Sequence, residues 1–371
     1  MNLSYWEQKS WFSNVGFCII GSGIVGLSCA LQLKKKHPAA NILILEKGIL
    51  PQGASTKNAG FACFGSVSEL LSDLKNHSEN EVVDLVKQRV AGLELLKTTL
   101  GEKQIDYDQQ GGYEVFLKED DSLFENCKQQ IPYLNELLYP VFKENVFHLK
   151  PDTFAFNKTI PHQIFNAFEG QIDTGKMMQA LLKKVQSQGI LILNSVEVKS
   201  VINETNGVEI HLKNFSFKAK QLFVATNAFA SELLDVEVTP ARNQVVITQP
   251  IENLHIKGSF HLDEGFYYFR NIHNRILLGG GRNIDKAGET TSKMGTTEAI
   301  QTALEDLLKN VILTNREVEI DQRWSGILGV GKQKKPIVKQ VKNKVYCAVR
   351  LGGMGVAIGS QIGKDLANLM E

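Results

Sequence analysis

Three glycines, Gly21, Gly23 and Gly26, and a carboxylate, Glu46, are the residues of this chain whose types and spacing point most directly to chemistry. In a G-x-G-x-x-G turn the first glycine permits a sharp exit from a strand. The second leaves no Cβ between the backbone and a pyrophosphate, and the third lets the next helix pack close to the sheet. The N-terminus of that helix presents unpaired N–H groups and the positive end of its dipole to phosphates. Glu46 follows Gly26 by 20 residues, the spacing at which a carboxylate accepts hydrogen bonds from an adenosine ribose. The chemistry implied is capture of an adenine dinucleotide.

Such a turn works only if the right elements hold it. Val15 to Ile20 is a short, β-branched apolar run that reads as a buried parallel strand. Leu27 to Lys36 continues with helical spacing until His37-Pro38 stops it, and Ile42 to Leu45 is a second apolar strand ending on Glu46. Strand, glycine turn, helix, strand and acid stand in the order of a dinucleotide-binding βαβ unit. After it, Gly53-Ala54-Ser55-Thr56-Lys57-Asn58-Ala59-Gly60 is a loop of small and hydrogen-bonding residues, able to return across a cofactor with N–H and hydroxyl donors.

Composition narrows the class. At 371 residues the chain has room for two domains. Hydrophobic residues at 43% and charged residues at 22% are ordinary globular values. The net charge of +1, from 41 basic and 40 acidic residues, gives no reason to expect a nucleic-acid partner. The lysine clusters Lys34 to Lys36, Lys332 to Lys335 and Lys342 to Lys344 are short and scattered, as on solvated helix ends and turns. Cys18, Cys29, Cys63, Cys127 and Cys347 show no metal spacing, so no metal site is expected, and a reducing cytoplasm fits them best. Phe17 to Leu33 is too short and too rich in glycine and polar residues to span a membrane, and Met1 to Glu7 lacks a signal-like pattern.

Further along, Gly65 to Asn76, Glu81 to Leu100, Asp121 to Leu138, Gly175 to Gln188 and Thr296 to Asn310 have helical spacing. Residues 1–14 form a leader whose Trp6, Trp11 and Phe12 are expected to pack on the body. Strands are predicted over Ile190 to Leu193, Val196 to Val201, Gln221 to Ala228, Pro240 to Pro250, Phe266 to Asn271, Arg275 to Leu278 and Lys344 to Val349. The segments Glu204 to Lys213 and Asn214 to Lys220 read as a hairpin, and a short helix closes the chain near Met370.

With these pieces in hand, the chain resembles the D-amino-acid oxidase (DAO) family of flavoenzymes, which includes glycine oxidase and sarcosine oxidase. The resemblance rests on Gly21 to Gly26 with Glu46, Gly53 to Gly60, Gly170-Gln171-Ile172-Asp173 and Val224-Ala225-Thr226-Asn227. Pro240-Ala241-Arg242-Asn243-Gln244, Gly279 to Arg282, Trp324-Ser325-Gly326 and Gly352 to Val356 follow in the family's order. It implies an α/β fold with an α+β second domain. A Rossmann-like FAD-binding domain would be assembled from residues 1–80, 151–235 and 325–371. A substrate domain on a large mixed β-sheet would use residues 81–150 and 236–324.

By the same resemblance, Gly21, Ser22, Gly23, Ile24, Val25 and Gly26 would line the pyrophosphate, with Glu46 and Lys47 at the ribose. Val198, Ala225 and Thr226 would lie along the nucleotide. Ser55, Lys57, Asn58, Ala59 and Gly60 would approach the flavin, and Gly353, Met354, Gly355 and Val356 its pyrimidine edge. The implied reaction passes a hydride from a carbon beside an amine nitrogen to flavin N5 and leaves an imine, with a small amine or amino acid, N-substituted or not, as substrate. A nicotinamide-dependent dehydrogenase fits the first βαβ unit equally well, and a flavin-binding protein without turnover is the other alternative.

One departure concerns the substrate. Amino-acid oxidases of the family commonly carry an arginine shortly after the Trp-x-Gly, a fork suited to a carboxylate. Here the stretch is Gly326-Ile327-Leu328-Gly329-Val330, and Leu328 stands at that place. Arg242, Arg270 and Arg282 are candidate replacements, with Tyr267 and Tyr268 as candidate pocket residues.

Overall fold

A computed structural model of the chain describes residues 3–314 and 316–370. The strand Val15–Ile20 sits at the centre of the first sheet, parallel to Ile42–Leu45 on one side and Ser216–Val224 on the other. Leu191–Leu193 and Val345–Val349 extend the parallel run, and Ile337–Lys342 closes one edge antiparallel. Every residue of the central strand is buried, as expected for a parallel strand covered on both faces. Phe17 and Ile19 face the helices Ile24–Lys36, Thr174–Ser187 and Gly355–Asn368, packing with Leu27, Leu181 and Ile358. Cys18 and Ile20 face the antiparallel ribbon Val198–Glu204 and Gly207–Leu212, which folds back from Ser216–Val224. The first and last of those helices lie close together: a Cβ on Gly363 would come within 2.5 Å of the Val25 carbonyl oxygen.

The second sheet runs, edge to edge, through Ile320–Val330, Thr239–Thr248, Arg275–Gly280, Tyr267–Ile272, Ser259–Leu262, Gly112–Glu114, His162–Asn166 and Phe147–Pro151. Strand alternation gives it two faces. Val245, Ile247, Leu277, Tyr268 and Trp324 pack with Ala59 and Phe61 from the loop of the first domain. Val246 and Leu278 pack on the far side, with Ile300 and Leu304 of the helix Glu298–Leu307. One face therefore roofs the cofactor loop and the other carries its own core.

Several boundaries move. Phe147–Pro151, His162–Asn166, Ser259–Leu262 and Ile320–Val330 are strands that the sequence pattern does not announce. They are short, or, like Ile320–Val330, carry Asp321, Gln322 and Arg323 on a partly exposed edge. His162–Asn166 and residues 325–330, placed with the cofactor domain from sequence, belong to the second sheet because their backbone pairs there. The helix Asp121–Phe142 runs through both Pro132 and Pro140 instead of ending before the latter, and Lys143 closes it in the left-handed region. Of the leader, Phe12 packs on Phe215 and Phe217, whereas Trp6 is 69% exposed; residues 1 and 2 lie outside the described residues. Among the described residues no helix is long and apolar enough to cross a membrane.

Candidate cofactor and substrate site

A crevice opens at the carboxyl ends of the first sheet's strands, where such sheets hold ligands. Its floor is the glycine turn. Gly21 adopts φ +101°, and a Cβ there would meet the Ala225 carbonyl oxygen at 2.8 Å. A Cβ on Gly26 would lie 2.0 Å from the Gly21 oxygen, so no larger residue closes this turn. Gly23, Ile24 and Val25 line the crevice with Gly21, whereas Gly26 and Ser22 do not reach it.

Ser22 instead holds the acid. Its N–H and hydroxyl donate to Glu46 Oε2 at 3.0 and 2.8 Å, and the Gly48 N–H donates to Oε1 at 3.0 Å. A carboxylate offers roughly four acceptor sites, so Glu46 keeps capacity for a ribose hydroxyl. Lys47 pairs with Glu197 at 2.9 Å beside Val198. Hydrogen bonds from Lys199 and Lys47 hold the Glu197 carboxyl down at about 2.

Across the floor, Ser55 Oγ accepts from the Ile24 N–H at 3.0 Å, which seats the loop on the helix N-terminus. Asn58 is fixed from both ends: its Nδ2 donates to the Ser55 oxygen at 2.8 Å and its Oδ1 accepts from Gly60 N–H and Thr174 Oγ. Ser55 and Asn58 line the crevice; Lys57, Ala59 and Gly60 do not. The Lys57 carbonyl accepts from Trp324 Nε1 at 3.0 Å, and Ala59 packs against Val245 and Leu277. These residues bind the roof to the loop.

At the far end Gly353, Gly355 and Val356 line the crevice, while Met354 packs into the core beside it. The helix Gly355–Asn368 starts here with no side-chain cap, so its first N–H groups and its dipole face the crevice unopposed. Thr226 Oγ1, buried on the crevice wall, also has no partner. A cradle that a Cβ would fill, a carboxylate with a spare acceptor, an uncapped helix start and an orphaned hydroxyl together fit an adenine dinucleotide with a polar ring system.

Some contributors have roles that their motif does not disclose. Asn227, with φ +47°, accepts from the N–H groups of Arg350 and Leu351 through Oδ1 and so fixes the turn into Gly353. Ile327, Leu328, Ser292 and Met294 form the wall opposite. Leu328 stands opposite Ala241 in the sheet, 3.7 Å from where a Gly353 Cβ would be. The local signal for Asn227 is its place at the end of Val224-Ala225-Thr226-Asn227, just after the strand that ends at Val224.

The candidate substrate residues fall elsewhere. Arg242 lies on the outer face of its strand, where its Nε and Nη2 grip Glu289 in a fork at 2.9 and 2.8 Å. Arg270 is 3% exposed, and its Nη1 donates to the carbonyls of Gly60 (2.9 Å) and Ile172 (2.7 Å). Burial lowers its guanidinium to about 10. It clips the loop and is not among the residues that line the crevice. Arg282 lies over the Phe266 ring, 5.9 Å from its centre. Tyr267 packs with the outer core, and Tyr268 stands on the roof face, edge-to-face with Phe61 at 5.4 Å.

Fold and crevice together define a dinucleotide-dependent enzyme, with one sheet at the cofactor floor and a second, mixed sheet as roof. The chain belongs to the family described as FAD dependent oxidoreductase, whose model matches residues 17–369. It is similar to the probable oxidoreductase OrdL of Haemophilus influenzae, 21% identical over 94% of this chain and 81% of that one. Its fold is similar to that of L-proline dehydrogenase from P. horikoshii (TM-score 0.75, 20% identity, 96% of this chain and 93% of that one). Iminodiacetate oxidase from Chelativorans sp. BNC1 has TM-score 0.77 and 17% identity, covering 95% of each chain. The cofactor is FAD, and the nicotinamide alternative falls away.

Proposed function

We propose that the chain oxidises the C–N bond of a small amine or N-substituted amino acid. The observation that carries this reading is the crevice itself. Its roof closes over the uncapped start of the helix Gly355–Asn368, and the facing wall is Ile327, Leu328 and Met294. Bound FAD supplies the acceptor for the hydride that leaves the carbon beside nitrogen. The apolar wall would keep water from that carbon, and the uncapped helix end would favour negative charge at the site. Proline and iminodiacetate, named for two structural neighbours, are both secondary amines, which supports a substrate with a substituted nitrogen. Leu328 in place of an arginine favours a substrate whose carboxylate, where it has one, is not gripped from that strand.

We further assign Gly21, Gly23, Ile24, Val25, Glu46, Ser55, Asn58, Val198, Ala225, Thr226, Gly353, Gly355 and Val356 to the cofactor. Ser22, Gly26, Lys57, Ala59, Gly60 and Met354 shape the elements that hold them. The cofactor unit takes residues 1–80, 167–235 and 331–371, and the roof takes the second sheet. A reducing cytoplasm accords with five free cysteines, four of them buried.

The test is anaerobic mixing of the yellow protein with a panel of primary amines, secondary amines and amino acids. Bleaching by a secondary amine is expected. A protein reduced by dithionite but by no member of the panel would instead be a flavin carrier without turnover.

A further inference from the structure

Behind the Phe61 ring, outside the crevice, three metal-binding side chains converge from separate parts of the chain. Cys63 comes from the turn after Phe61–Ala62, Glu169 from the turn before Gly170–Gln171, and His261 from the strand Ser259–Leu262. The Cys63 Sγ, a Glu169 carboxylate oxygen and a His261 ring nitrogen all lie within 4.8 Å of one another. No other such group stands out among the described residues. Glu169 is 1% exposed and His261 9%.

The Glu169 carboxylate is held in place before any ion arrives. Its Oε1 accepts from the N–H groups of Phe64 at 3.0 Å and Gly65 at 3.3 Å, which turns Oε2 to His261 Nε2 at 3.2 Å. Gly112 makes room for it, since a Cβ there would sit 1.9 Å from a Glu169 oxygen. The surroundings favour a cation. Glu69 acts on both Cys63 and His261 and Glu114 on His261, with Arg89 as the permanent cation beside Cys63.

We propose that Cys63, Glu169 and His261 bind a zinc ion that fastens the cofactor loop to the substrate sheet. Thiolate, imidazole and carboxylate are the ligand types of zinc, and the sulfur disfavours magnesium and calcium. Ligand atoms on a tetrahedral zinc stand ~3.3–3.8 Å apart, given bonds of ~2.0–2.3 Å, so closure asks only for side-chain shifts of about 1 Å. Binding replaces the thiol proton, and any proton on the coordinating ring nitrogen, with the metal. A water would take the fourth position. The metal's place is structural: it ties residues 61–65, next to the flavin loop, to the roof strand.

The experiment is metal analysis of the purified FAD-loaded protein after dialysis against zinc and then against metal-free buffer, followed by zinc-edge X-ray absorption. About one zinc per chain is expected, with one sulfur near 2.3 Å and the remaining ligands nitrogen or oxygen near 2.0 Å. Cys63→Ser and His261→Gln should each lower retained zinc at least tenfold while the flavin-to-protein ratio stays unchanged. If either variant fails to fold, the wild-type absorption spectrum decides alone. Less than about a tenth of a zinc per chain in the dialysed wild type, a zinc shell without sulfur, or full retention by both folded variants would overturn the proposal. None of these readings depends on which substrate the enzyme oxidises.

Discussion

The floor and the roof of the crevice are built in opposite ways. The floor is made of backbone: Gly21, Gly23, Gly353 and Gly355 matter for what they lack, and the contiguous stretch from Val15 to Glu46 supplies the glycine turn and the carboxylate. The roof sheet is seated on the cofactor loop by side chains brought together from Ala59, Phe61, Val245, Tyr268, Leu277 and Trp324, which are scattered across the sequence, and it meets the crevice through Ile327 and Leu328. A backbone cradle tolerates no added atoms but asks little of its neighbours. A side-chain roof tolerates exchange within its apolar set but depends on polar clips, Arg270 above all, to hold it down.

The comparison breaks hardest at Gly26. A Gly26→Val substitution forces its Cβ against the Gly21 carbonyl, where only 2.0 Å is available. The result should be a colourless or insoluble chain, checked by the ratio of flavin to protein absorbance. Next comes the pair on the outer face of the roof. Arg242→Met leaves Glu289, 1% exposed, without its fork, and breaking a buried pair in this way costs about 3–5 kcal/mol. Denaturant unfolding should show that loss while the flavin stays bound, because the pair makes no hydrogen bond to the glycine floor.

Arg270→Met probes the clip between floor and roof. It strands the carbonyls of Gly60 and Ile172, which at about 1–3 kcal/mol for each unpaired buried group should lower unfolding stability measurably. Looser cofactor binding should accompany it, read as a raised FAD dissociation constant. A shifted substrate preference with unchanged stability would instead mark Arg270 as a substrate ligand.

The smallest effect is one of pH. Burial works against the Glu289 carboxylate, but the bonds from Arg242, Gln244 and Thr297 prevail and hold it below the usual glutamate range. A group depressed on folding stabilises the protein above its unfolded pKa, and that contribution drains as pH falls through the folded value. Stability should therefore decline as pH drops below about 4.5, the ordinary glutamate value. In Glu289→Gln, itself less stable, that decline should be shallower, as read by thermal unfolding across pH.

What the sequence discloses follows the same division. The βαβ unit, the loop Gly53 to Gly60 and the closing glycines are legible because each depends on local backbone demands that only certain residues meet. The role of Ser22 as the anchor of Glu46 is hidden, since any residue is allowed between the first two glycines of the motif. Arg242 and Arg270 both read from sequence as candidate carboxylate partners. Only strand alternation and the long-range pairing of Thr239–Thr248 with Ile320–Val330 put one on the outer face and the other beneath the roof. Ile320–Val330 itself escaped because its first half reads as a polar loop. The Cys63, Glu169 and His261 cluster spans nearly two hundred residues and has no spacing to read.

The central claim is that separated segments converge on one FAD between floor and roof, and a crystal structure of the FAD-loaded protein tests it most directly. The account predicts the adenosine ribose within hydrogen-bond distance of Glu46, and the flavin ring between Asn58 and the turn Gly353 to Val356, beneath Leu328. A flavin bound outside the crevice, or a crevice filled by its own side chains while FAD is present, would contradict it.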